Sequence, residues 1–203
     1  KVDNDRAQCI RPFLAVAQTT LRDPTSGEQY PFMGLYAGMD LPKGTFLGFY
    51  SGDIKDGDYK GRDSYVFQLS DVYIKPRKTR RGVDPVRYPL AMCNEPRPGE
   101  TANVVTTEFS TAKDVIATLK PKTKIAALGF YTCRDVQGGE ELFVHYGKRY
   151  HRRHYANPDG LDPLDLVGKP GKLLKTERET PMQMAATFGL FYVDKECYTE
   201  YEE

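Results

Sequence analysis

From residue 13 to residue 146 the chain sustains no long helical apolar period. Short apolar or alternating runs recur instead, at 13–21, 34–39, 45–50, 64–69, 72–74, 103–109, 124–133 and 141–146. Turn chemistry separates them: DPTSGE, LPKG, GDIKDGD, PRPGE, KPKT and QGGE. Gly, Pro and Asp at such junctions preset or permit the backbone angles that reverse a chain. Runs of this length, punctuated this way, predict many short strands joined by irregular loops, hence a mostly β domain.

With 203 residues, the chain is long enough for one domain with a full core and a smaller appendage. A content of 14 Tyr and 10 Phe with no Trp suits strands and ring-lined pockets. The net charge of +1 supplies no global pull toward nucleic acid or membrane. No apolar run approaches membrane-spanning length. Cys9, Cys93, Cys133 and Cys197 have no CxxC spacing, which argues against an all-cysteine zinc site and for a reducing compartment.

Residues 75–87, KPRKTRRGVDPVR, read as a solvated basic loop, and 156–172 read as a Pro/Gly/Asp-rich linker. Beyond it, Thr180 is placed to cap a short helix over 182–188, with Pro181 in the first turn and Gly189 at its end. The histidines are His145, His151 and His154. HRRH places the last two at i, i+3, but no carboxylate lies at matching spacing, so no metal site is expected. KRYHRRHY interleaves rings with positive charge and reads as a solvated segment rather than a nucleic-acid interface. Patterns for P-loops, Rossmann turns, nucleophile elbows and zincins are absent.

Three blocks carry the chemistry. The first is MGLYAGMDLPKGTFLGFYSGD at 33–53, the second MCNEPRPGETANV at 92–104, and the third GGEELFVHYGKRY at 138–150. The third is a Gly-Gly turn feeding a strand that ends on a phenol at Tyr146–Gly147. In this order the blocks resemble the core motifs of the SET-domain protein lysine methyltransferases. Phe32-Met33-Gly34 stands for the family's G-x-G, and Asn94-Glu95 opens its N-H-S-C-x-P-N, closed by Asn103. Gly139–Gly147 matches G-E-E-L-x-x-x-Y-G. Phe32 replaces a glycine, and Glu95 replaces a histidine that acts largely through its backbone. The lack of flanking cysteine clusters resembles compact viral or bacterial members.

The resemblance implies a β-clip of small sheets with a pseudoknot that lays the second and third blocks side by side. It divides the chain into a flank (1–31), a catalytic core (32–150) and an extension (151–203) that completes the site. The cofactor implied is S-adenosylmethionine, held by Phe32, Met33, Gly34, Asn94, Glu95, Tyr146 and Tyr150, with Tyr155 as an alternative adenine stack. Tyr146 is the implied catalytic residue. Tyr50 and Tyr65 are the implied walls of a lysine channel. Val144 lies where the family's Phe or Tyr choice tunes the number of methyl groups.

Methyl transfer to an amine needs a desolvated, deprotonated lysine, an aligned lone pair, and rings and oxygens facing the moving charge. The expected partner is a protein substrate such as a histone tail, inside the cell in nucleus or cytoplasm, with no membrane or direct nucleic-acid contact. The sequence leaves oligomeric state open, a homodimer included. It also leaves open two rivals: a SET-like peptide-binding module without turnover, and an enzyme acting on a non-histone protein.

Overall fold

A computed structural model describes residues 8–11, 13–61, 63–69, 72–111, 126–155, 157, 159–173 and 190–192. Among these residues the structure is mostly β. One sheet runs β1 (Gln8–Arg11), β2 (Leu14–Gln18), β3 (Met33–Ala37) and β12 (Glu141–Leu142). A second runs β13 (Leu190–Tyr192), β10 (Val104–Thr111), β11 (Ala126–Thr132) and β4 (Phe46–Phe49). A third runs β5 (Asp53–Asp56), β7 (Val72–Lys75) and β6 (Phe67–Gln68), and β8 (Lys78–Thr79) pairs with β9 (Gly82–Val83). A 3-10 turn spans Pro89–Met92.

These sheets close on a shared core. Leu14, Val16, Leu35, Leu47, Leu128 and Phe130 are buried in it. Alternation places Val72 and Ile74 of β7 inward, with Tyr73 and Lys75 half-exposed. The turn before β12 uses Gly139 at φ +86°, a left-handed geometry that glycine adopts without steric cost. Its N–H donates to Ala37 O at 2.7 Å, which docks the turn on the end of β3.

The segment after β12 runs between two stretches of the second block. On one side Val144 N donates to Asn94 O at 2.9 Å. On the other, Val104 N donates to Phe143 O at 3.0 Å. Both bridges are parallel. This is the side-by-side arrangement expected of the pseudoknot, an exception to the rule against threaded chains. Asn103 fastens it: its Oδ1 accepts from Phe143 N at 2.7 Å, and its Nδ2 donates to Glu141 O at 2.9 Å. Asn103→Ala strands both partners in the interior, and urea unfolding should register a loss of about 2 kcal/mol.

Several expectations change. GDIKDGD was expected as a turn, yet its central residues form β5, paired to β7 from Asp53↔Lys75 to Asp56↔Val72. This edge strand is largely exposed, so burial leaves no alternation in its sequence. Part of the basic loop forms the β8–β9 hairpin. The linker also proves partly structural. Ala102 N donates to Lys169 O, Lys169 N to Glu100 O and Gly168 N to Pro96 O. Val167 and Leu173 are buried. The expected helix at 182–188 lies outside the described residues.

Candidate active site

Two adjoining clusters occupy the junction of β3, β12 and the second block. The first surrounds the carboxylate of Glu141, only 4% exposed. Oε1 accepts from Thr19 Oγ1 at 2.6 Å and from Asn94 Nδ2 at 3.2 Å. Oε2 accepts from Thr20 N at 2.7 Å and Thr20 Oγ1 at 2.6 Å. The Tyr36 hydroxyl lies 3.2 Å from the same oxygen and 2.6 Å from Gln18 O. Burial, with Glu141 beside it, pushes that hydroxyl above the usual phenol range. The cluster joins the end of β2 to β3, β12 and Asn94, residues far apart in sequence.

The expected cofactor residues meet here in part. Asn94 Nδ2 donates to Met33 O at 3.0 Å, drawing the second block against the entry of β3. Gly34 is buried against the Glu141 carboxylate. Phe32 and Met33 remain 38% and 37% exposed, and the Phe32 ring stacks on Tyr30 at 5.0 Å. Arg97 donates to Thr20 O through Nη2, while its buried Nε has no partner.

The second cluster is aromatic and centres on Tyr146. Its hydroxyl donates to Cys93 O at 2.8 Å. Its ring meets Phe67 edge to face at 6.3 Å and Tyr150 at 4.6 Å. Phe67 in turn contacts Tyr50, whose ring stacks on Phe130 at 5.7 Å. The Tyr50 hydroxyl donates to Tyr65 O at 2.7 Å, joining the two expected channel residues. Burial pushes the Tyr146 and Tyr50 hydroxyls well above the usual phenol range, and Tyr150 to about 12. Val144, 1% exposed, sits in the core beneath the cluster rather than at an open surface.

Glu95 connects this cluster to the extension. Its side chain turns to the interior, where Oε1 accepts from Tyr146 N at 2.7 Å and from Arg152 Nη2 at 2.6 Å. Oε2 accepts from Arg152 Nε and the Tyr155 hydroxyl, both at 2.9 Å. Arg152 also donates to Gly147 O at 2.8 Å, and its guanidinium lies 5.4 Å from the Tyr150 ring centre. The solvated reading of HRRH holds for His151, Arg153 and His154, which are exposed. It fails for Arg152, only 3% exposed. The available signal was Glu95 itself, because a carboxylate placed in an enclosed block needs a counter-charge.

His145 is buried and accepts a hydrogen bond from Gly147 N at Nδ1, 3.0 Å away. Burial lowers its pKa from 6.5, Glu95 partly offsets this, and Arg152 lowers it further. The unfolded chain therefore binds a proton near pH 6.5 that folded His145 excludes. Stability is intact above that pH and falls below it. Urea midpoints measured from about pH 7.5 to 5.5 should decline, and His145→Gln should flatten the decline.

Residues 33–147 match the SET domain family, more than half of the chain, and the chain belongs to that family. No curated protein matches it by sequence. Among solved structures it is similar to a Plasmodium falciparum protein described as a candidate histone methyltransferase. That match has 10% identity and a TM-score of 0.43, covering 68% of this chain and 99% of that one. It is also similar to the methyltransferase domain of human PR domain-containing protein 2. There the identity is 18% and the TM-score 0.44, covering 75% of this chain and 89% of that one.

Proposed function

We propose that this chain is an S-adenosylmethionine-dependent protein lysine N-methyltransferase, with a histone tail as the first substrate to test. The observation that carries the reading is the Tyr146 hydroxyl, held on Cys93 O inside a cluster of rings where the second and third blocks meet. The core at 32–150 would carry the chemistry and 151–203 would complete the site.

The cofactor supplies a methyl group made electrophilic by its attachment to a sulfonium. The residues present suit such a molecule. Exposed Phe32 and Met33 offer apolar surface beside Asn94, and Arg97 keeps a buried Nε without a partner, a donor suited to a carboxylate. Tyr150 and Tyr155 offer ring faces for adenine.

Tyr146 spends its proton on Cys93 O, so its oxygen lone pairs remain free to face a methyl group or an amine. Its raised pKa keeps it a neutral phenol, which excludes it as an anionic base at neutral pH. Deprotonation of the substrate lysine then rests on desolvation among the rings of Tyr50, Phe67, Tyr146 and Tyr150, which disfavours the charged ammonium. The same ring faces would accommodate the positive charge of a bound sulfonium or of a methylated amine. A substrate peptide can lie as an added strand on an edge of the small sheets.

The enzyme would act inside the cell, in nucleus or cytoplasm. Calorimetric titration with S-adenosylhomocysteine tests the reading, with micromolar binding expected. Peptide capture without any binding of this product would favour the non-catalytic module instead.

A further inference from the structure

We propose that Arg152 is a positioning residue. Its ion pair with Glu95 latches the segment 147–155 across the site, orients Tyr146, and keeps the ring cluster electrically neutral for a sulfonium ligand. The proposal rests on the cofactor reading above and adds a mechanism by which this chain closes the site with its own side chains.

Four hydrogen bonds converge on one carboxylate. Two come from Arg152, in the forked geometry that fits guanidinium to carboxylate. One comes from the backbone N–H of Tyr146 and one from the hydroxyl of Tyr155. The strand expected to end on Tyr146 stops at Leu142, so Tyr146 lies in the loop beyond β12, where Glu95 grips its backbone and the segment that follows. Arg152, itself part of that segment, also donates to Gly147 O and to Tyr150 O at 3.2 Å, which fixes the fold of the segment that the Glu95 pair fastens. Tyr150 then packs its ring on Tyr146. Each partner is 57 residues from the other in sequence, so the pair is a tertiary fastening rather than a local turn.

The charge balance matters as much as the grip. Both side chains are almost fully excluded from water, at 1% and 3% exposure. Neutralising Glu95 alone leaves a buried cation beside the rings of Tyr146 and Tyr150. A buried cation repels a positively charged sulfonium but is indifferent to a neutral thioether. A pair serving only to hold the fold would change the affinity for both ligands alike.

The test compares wild type, Glu95→Gln and the double variant Glu95→Gln/Arg152→Gln. Titration calorimetry gives the dissociation constants of S-adenosylmethionine and S-adenosylhomocysteine. In Glu95→Gln their ratio should rise about tenfold against the sulfonium, the order expected for a unit charge acting in a partly buried site. In the double variant, which carries no buried charge at this point, the ratio should return to that of wild type. Trypsin reads the latch independently of any cofactor. Cleavage after Lys148 and Arg149 should quicken about tenfold in both variants, relative to the exposed control site at Arg81. An unchanged ratio in Glu95→Gln overturns the electrostatic half, and unchanged cleavage overturns the latch. If wild type binds neither ligand, the cofactor reading fails and takes the electrostatic half with it, while proteolysis still decides the latch.

Discussion

Tyr146→Phe should lower the rate of methyl transfer by about 100-fold or more, with the Michaelis constant for the peptide little changed. The substitution removes one oxygen and leaves the ring in place against Phe67 and Tyr150. Only the hydrogen bond to Cys93 O is lost from the fold, a cost of about 1 kcal/mol. Stability and rate should therefore separate cleanly. A positioned oxygen acts on the aligned, charge-shifting state rather than on substrate binding, so the loss belongs in kcat. Equal kcat in the two proteins would remove Tyr146 from the chemistry while leaving the family assignment untouched.

Gly34→Ala should lower stability by about 3 kcal/mol, a fall in Tm of about 6–12 °C. A Cβ at this position would lie 2.8 Å from Glu141 Cδ and 3.2 Å from Thr19 Cα. The carboxylate cannot step aside easily, because Thr19, Thr20 and Asn94 all donate to it. The cost is steric overlap rather than backbone strain, since Gly34 has no positive φ. Shortening the acid should relieve it: Gly34→Ala/Glu141→Asp should recover part of the loss that the single substitution incurs, a coupling visible in a double-mutant cycle. If Gly34 matters only for close approach of a cofactor, Gly34→Ala would instead melt like wild type and lose only affinity for S-adenosylhomocysteine.

Strands that reach the core were legible in the sequence. The runs at 13–21, 34–39, 72–74 and 103–109 each overlap an observed strand: in β7 buried Val72 and Ile74 alternate with half-exposed Tyr73 and Lys75, while in β3 a short apolar run is buried along most of its length. Asp53–Asp56 was not legible, since an exposed polar edge strand carries no such imprint and its composition mimics a turn. The stretch 167–173 failed for a related reason. Its glycines allow close backbone approach rather than flexibility, and a Cβ at Gly168 would meet the carbonyl carbon of Glu100 at 3.0 Å. The blocks placed Tyr146, Asn94 and Gly34 near one another because motif order encodes their convergence. Arg152 and Glu141 escaped because their roles depend on long-range burial. Nothing local distinguishes a buried arginine in HRRH from its exposed neighbours, or a carboxylate hub from a turn glutamate.

Transfer of a labelled methyl group from S-adenosylmethionine to core histones and a lysine-peptide panel decides whether this chain is a lysine methyltransferase. Label should appear on a lysine side chain, located by mass spectrometry, and be lost in Tyr146→Phe. Absence of transfer to every substrate, together with absence of S-adenosylhomocysteine binding by the folded wild-type protein, would contradict that activity.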